Sequence, residues 1–174
     1  MKKLLLLLII PLLSFGQERI IKKYWNNGAL KIHKKYHENG NLSFDFRYND
    51  KSEKHGAWRA YYKNGEIEYE KNFFNGKEHG KVTSWYRNGT KESEVNFYHG
   101  NWHGFAKEWY KNGQLRYLGS WENGIEQDTS RRWFSNGQLE WEGNYIDGLI
   151  DYEYCWDERG KEYLCNRFDG RPMD

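Results

Sequence analysis

Apolar and polar residues alternate along Leu42-Ser43-Phe44-Asp45-Phe46-Arg47-Tyr48 and again along Leu115-Arg116-Tyr117-Leu118-Gly119-Ser120-Trp121. A period of two predicts β-strands with one buried face. The strands are punctuated by one recurring motif, an aromatic pair, a variable residue and Asn-Gly. It reads Tyr61-Tyr62-Lys63-Asn64-Gly65, Trp85-Tyr86-Arg87-Asn88-Gly89, Trp109-Tyr110-Lys111-Asn112-Gly113 and Trp133-Phe134-Ser135-Asn136-Gly137, with the glycines stepping by 24. Weaker copies end at Gly28, Gly40 and Gly160, and a second glycine follows each strong copy at Gly76, Gly100, Gly124 and Gly148. Asn-Gly supplies the positive φ that a tight hairpin turn requires. Each 24-residue unit is therefore a β-hairpin with two turns.

A single hairpin cannot bury its aromatic face, whereas several stacked in register can. The expected fold is all-β: an elongated single antiparallel sheet of about six tandem hairpins, roughly 60 Å long at 4.7–4.9 Å per strand. Its end units should be atypical. The step from Gly28 to Gly40 is 12 residues, Asp50-Lys51-Ser52-Glu53-Lys54 pads one turn, and the last unit is degenerate.

Composition refines this picture. Hydrophobic residues make up 37% and aromatic residues 18% of the 174-residue chain, which suits thin β-structure better than a thick aliphatic core. Lys2, Lys3, the apolar run Leu4 to Leu13 and Ser14-Phe15-Gly16 read as a signal peptide over 1–16, cleaved before Gln17, because the run is half the length of a membrane span. Residues 17–174 are then the repeat domain, expected in the periplasm or outside the cell. Without Lys2 and Lys3, the 27 basic residues fall to equal the 25 acidic ones. A neutral surface with both signs interspersed argues against a nucleic-acid partner.

Tyr117-Leu118-Gly119-Ser120-Trp121-Glu122-Asn123-Gly124 resembles half of a MORN repeat. Phe73-Phe74-Asn75-Gly76-Lys77-Glu78-His79-Gly80 and Tyr98-His99-Gly100-Asn101-Trp102-His103-Gly104 carry the Gly-x-x-His-Gly step that opens the next unit. Together with the aromatic-x-Asn-Gly half, they resemble the MORN repeat variant of the bacterial YwqK-like antitoxin family over roughly residues 24–165. The resemblance implies an elongated antiparallel sheet that binds proteins or, in some members, membranes. An export signal departs from an antitoxin that acts inside the cell.

His55, His79 and His103 recur every 24 residues before glycine, but equivalent positions two strands apart lie roughly 9–10 Å from each other, too far to share one zinc ion. Gln127 and Asp151 replace the histidine in later copies, so turn stabilisation is expected and no metal or other cofactor. Glu66, Glu68 and Glu70 are expected on one wet face. No serine has a strained elbow or an oriented base around it, so no catalytic residue is named and the chain is expected not to be an enzyme. Cys155 and Cys165 flank the Arg159-Gly160 turn in a compartment that permits a disulfide. A two-residue turn would put them on opposite faces, and a bulged three-residue turn on one face but diagonal.

Trp85, Trp109, Trp133 and Tyr61 are expected in the core. Their neighbours Tyr62, Tyr86, Tyr110 and Phe134 then lie on the opposite face and are the candidate binding row. Three functions compete: an exported, non-catalytic scaffold for a protein partner, of antitoxin or immunity type; a cell-envelope glycan-binding module using the aromatic rows; and a hydrolase, ranked last. Membrane lipid is not the expected partner.

Overall fold

A computed structural model describes residues 19–165. The proposed signal peptide over 1–16 lies outside the described residues. Within them the chain forms one open antiparallel sheet of 14 strands and no helix. In chain order the strands are β1 (Ile20–Tyr24), β2 (Leu30–Tyr36), β3 (Leu42–Arg47), β4 (Gly56–Tyr61), β5 (Ile67–Phe74), β6 (Lys77–Glu78) and β7 (Gly80–Trp85). They continue as β8 (Lys91–Tyr98), β9 (Asn101–Trp109), β10 (Leu115–Glu122), β11 (Ile125–Trp133), β12 (Leu139–Ile146), β13 (Leu149–Trp156) and β14 (Glu162–Tyr163). Each strand pairs with the next in sequence, except that the short β6 and the longer β7 both pair with β5 on either side of His79.

The two long rims of the sheet use different turns. On the asparagine rim only the glycine of each Asn-Gly has positive φ, 91° at Gly65 and 82° at Gly89. The asparagine was expected to share that conformation and instead works through its side chain. Asn88 Oδ1 accepts from Thr90 N at 3.1 Å, closing its own turn, while Nδ2 donates to the Lys111 carbonyl of the next hairpin at 3.0 Å. Asn112 repeats both contacts with Gln114 and Ser135. The mirror-image two-residue turns, with two successive positive φ values, lie on the other rim at Asn75-Gly76, His99-Gly100, Asn123-Gly124 and Asp147-Gly148. Gly28 also turns on this second rim, because a 12-residue step advances the chain by one strand rather than two.

The second rim also carries the histidines. His55, His79, His103 and Gln127 each precede a residue at positive φ: Gly56, Gly80, Gly104 and Asp128. Gln127 Oε1 accepts from Asp147 N at 3.2 Å, and His55 Nδ1 faces Asn75 N at 3.5 Å, so a glutamine oxygen takes the place of the His55 nitrogen, while the buried Nδ1 of His79 has no hydrogen-bond partner. Asp128 sits at φ 60° where earlier copies have glycine. Asp128→Gly should therefore stabilise the protein by about 0.5–1 kcal/mol, read as a raised urea midpoint.

Pairing registers divide the side chains between two faces. Trp58, Ala60, Phe73, Val95, Ala106 and Ser130 are buried on one of them, the core face. At the N-terminal end of this face Phe44, Phe46 and Trp58 stack at centroid distances of 4.3 and 4.1 Å. The other face carries a row of charge running across the strands: Lys34, Asp45, Arg59, Glu70, Thr83, Glu94 and Lys107 are successive cross-strand partners. Lys34 meets Asp45 at 2.8 Å, Arg59 pairs with Glu70, and further along Arg131 meets Glu142 at 2.6 Å. Such cross-strand pairs contribute roughly 0.2–1 kcal/mol each and fix the register.

Two expectations change. Tyr61, Trp85, Trp109 and Trp133 are half-buried on the charged face rather than in the core. There they pair with Ile67, Lys91, Leu115 and Leu139, and Lys91 Nζ lies 5.1 Å from the Trp109 ring. Glu66, Glu68 and Glu70 do not share a face, because the register slips between Ala60 and Tyr61 and leaves Glu68 as an extra, bulged residue. Glu70 joins the charge row and Glu66 lies in the turn.

Candidate binding groove

The slip after Ala60 recurs after Ser84, Glu108 and Arg132, so Glu68, Glu92, Arg116 and Glu140 are the bulged residues of four successive hairpins. Opposite them the alternation places Tyr62, Tyr86, Tyr110 and Phe134 on the core face, along the asparagine rim. All four are half-buried. The tyrosine hydroxyls reach across to the next hairpin: Tyr62 Oη donates to Trp85 O at 2.7 Å, Tyr86 to Trp109 O at 2.8 Å and Tyr110 to Trp133 O at 2.9 Å. Each such bond contributes about 0.5–1.5 kcal/mol and holds its ring in place. The candidate row, expected on the face opposite the core, therefore lies on the core face, and its tyrosines tie the repeats together.

A second aromatic row, Phe73, Phe97, Trp121 and Tyr145, follows the other rim of the same face at 24-residue intervals. Between the rows runs a floor of smaller groups that includes Val95, Ala106 and Gly119, successive partners across β8 to β10, and Ser130 and Gly143, partners across β11 and β12, with Ser130 Oγ beside Gly119. Rings from positions Tyr69, Tyr117 and Trp141 share this floor. Tyr117 lies over Gly119 and Trp141 over Gly143, where the missing Cβ makes room. The Tyr117 hydroxyl donates to Glu126 Oε1 at 2.5 Å and Ser130 Oγ donates to the same oxygen at 2.6 Å.

Two openings on this face share Tyr86. One, about 470 Å³, is bounded by Tyr62, Tyr86, Arg87, Asn88 and Lys111. The other, about 300 Å³, is bounded by Ser84, Tyr86, Glu92, Ser93, Glu108, Trp109 and Arg116. Cations already approach the ring faces: the Arg87 guanidinium is 5.7 Å from Tyr62, Lys111 Nζ 5.7 Å from Tyr86, and the Arg116 guanidinium 5.9 Å from Tyr110. These cations were not foreseen, although Lys63, Arg87 and Lys111 occupy the variable position of the repeat motif.

Burial, reinforced by neighbouring carboxylates, raises the phenols of Tyr62, Tyr86 and Tyr110 above the ordinary tyrosine value. Tyr145 is pushed up to about 12 by burial and then by Glu126. A raised phenol stabilises the fold fully below the unfolded value near 10 and loses that contribution as pH rises through the folded value. Stability should therefore fall between about pH 10 and 12, with tyrosine ionisation and loss of β-structure coinciding in an alkaline titration.

Cys155 and Cys165 are joined, with Cα atoms 5.4 Å apart. Cys155 pairs across the strand with Tyr163, so Cys165, two residues on, is its diagonal neighbour. The bridge clips β14 onto β13. Among the described residues, no group of three or more His, Cys, Asp or Glu side chains is placed to hold a metal ion.

The architecture and groove define a tandem β-hairpin repeat protein. Residues 54–75, 78–97 and 102–123 match the MORN repeat variant, one segment for each of three successive hairpins from β4 to β10. No curated protein matches the chain.

Proposed function

We propose that this chain is an exported, non-catalytic scaffold that holds a protein partner in the trough of its core face, in the periplasm or outside the cell, with an antitoxin-like or immunity-like role. The observation that carries the reading is the tyrosine row. Its rings are fixed by hydrogen bonds to the following hairpin and stand beside two adjoining openings, which makes a preorganised concave surface of the kind that receives a partner. The match of three repeats to the MORN variant supports the scaffold itself. A glycan-binding role fits less well, because cations stand over the ring faces on which sugars would stack. The serines of the trough support a non-catalytic role: Ser130 is fully buried, and Ser84 bonds to Glu92 and Ser93 with no imidazole lining that opening.

The test is affinity capture from the envelope and secreted fractions of the source organism, using the chain from Gln17 and an Arg87→Glu/Lys111→Glu variant as baits. A stoichiometric protein captured by the first and lost from the second supports the reading. Release of the captured material by soluble sugar would replace it with the glycan reading. Retention of the tagged chain in the cytoplasm would remove export.

A further inference from the structure

The smaller opening exists because one repeat breaks the pattern. Across the four hairpins, Ala60, Ser84, Glu108 and Arg132 face Tyr69, Ser93, Tyr117 and Trp141. Three of these positions carry a ring over the floor and the fourth carries a hydroxymethyl group. In two of the three ring-bearing hairpins the residue two further on is glycine, whereas after Tyr69 it is Lys71, whose Nζ lies 5.8 Å from the Tyr69 ring. Tyr117 and Trp141 are followed by Gly119 and Gly143, over which their rings lie, whereas Ser93 is followed by Val95, buried to 9% exposure. The exchange keeps the floor packed and removes the ring above it. What remains is a recess of about 300 Å³, near the lower limit of small-ligand pockets.

The chemistry around this recess is acidic and polar. Ser84 Oγ donates to Glu92 Oε2 at 3.2 Å and shares a 2.8 Å hydrogen bond with Ser93 Oγ. Glu108 also lines the recess, with only a 3.8 Å contact to Arg116 Nη1. Tyr86 contributes its ring, its hydroxyl being committed to the Trp109 carbonyl. Two carboxylates against one guanidinium leave the recess net negative, while the adjoining opening is lined by the cations Arg87 and Lys111. Carboxylates and hydroxyls able to accept are together the surroundings that suit a guanidinium or ammonium group.

We propose that the recess at Ser93 is the specificity pocket of the trough and takes a single arginine or lysine side chain projecting from the bound protein. This rests on the scaffold reading and names what the scaffold recognises. The side chain enters past the edge of Tyr86, its cation meets Glu92 and Glu108, and an acidic residue beside it in the partner faces Arg87 and Lys111.

The test uses the full chain and pentapeptides of the form Gly-Gly-X-Gly-Gly, with X as arginine, lysine, citrulline or glutamate, followed by NMR titration. Arginine and lysine peptides should perturb the resonances of Glu92, Ser93 and Tyr86, and the uncharged citrulline peptide should not. Glu92→Gln should weaken that binding at least tenfold. Glu68→Gln, at the equivalent bulge beneath Tyr69, should leave it unchanged. Ser93→Tyr/Val95→Gly transplants the Tyr117–Gly119 pair and should abolish binding with the sheet intact. If that variant does not fold, the Glu92→Gln comparison decides. Equal response to citrulline, or binding that survives loss of Glu92, overturns the proposal. The capture experiment separates the two readings. A protein held equally by the Ser93→Tyr/Val95→Gly bait keeps the scaffold and removes the pocket. Arginine-selective binding with no protein captured keeps the pocket and removes the scaffold.

Discussion

Gly119→Ala should lower stability by about 2–3 kcal/mol, one of the largest losses expected from adding a single methyl group to this sheet. A Cβ at that position would lie 2.1 Å from Tyr117 Oη, 2.7 Å from Tyr117 Cζ and 2.7 Å from Ser130 Oγ. The ring cannot give way cheaply, because its hydroxyl is bound to Glu126 at 2.5 Å, and Ser130, fully buried, is bound to the same carboxylate. Displacing Tyr117 leaves the hydrogen bonds of a shared acceptor to be remade, so the cost adds a polar term to the overpacking. Urea unfolding followed by tryptophan fluorescence would measure it. The same alanine in a Tyr117→Ser background should cost much less, since the natural Ser93–Val95 pair already tolerates a branched side chain under a missing ring. Equal losses in both backgrounds would mean that the Tyr117 ring is not what the new methyl meets. Gly143→Ala should behave similarly, with Trp141 Cζ2 at 2.3 Å from the new carbon.

The Cys155→Ser/Cys165→Ser variant should lose about 2–3 kcal/mol from the terminal hairpin and little elsewhere. Two residue pairs, Cys155–Tyr163 and Trp156–Glu162, are the whole strand ladder between β13 and β14, so the bridge supplies most of the constraint on this end. The loss should appear as faster amide exchange in β13 and β14, with β7 to β10 unchanged, and a reducing agent should reproduce it in the unmodified chain. Leu149, Tyr152 and Tyr154 are exposed on β13, at 75%, 42% and 45%. β14 covers only Cys155 and Trp156 of this edge, so freeing it should lengthen an already exposed apolar edge by two residues and promote self-association, detectable by light scattering.

The repeating hairpin was legible because its two signals, alternation and the 24-residue step, are written in every unit. The disposition of the repeat tryptophans was not. Alternation alone separates Trp85 from Tyr86, but which of them meets the core depends on what the opposite strand presents. That strand carries a bulged residue at Glu92 that the sequence does not mark. The same bulge defeats the reading of Glu66, Glu68 and Glu70 as one row. Asn-Gly was correctly read as a turn, yet the mirror-image turns lie at Asn75-Gly76 and its equivalents. In the motif itself the asparagine serves a neighbour rather than its own backbone angles, and that role becomes visible only when two units are side by side. The exception at Ser93 was readable by aligning Tyr69, Ser93, Tyr117 and Trp141, but its meaning needed Val95 and Gly119 beneath.

The asparagine contacts have one more consequence. Asn88 reaches Lys111, Asn112 reaches Ser135, and each tyrosine hydroxyl reaches the hairpin directly after its own. None of these links skips a neighbour. The length of the molecule is therefore quantised: excising 24 residues from the middle would let every surviving asparagine find a carbonyl where it expects one, and duplicating 24 would do the same. Excising 12 would send each later turn to the wrong rim and every ring to the wrong side. A lineage of such chains can grow or shrink by whole hairpins, and its members should differ in reach while keeping the same cross-section.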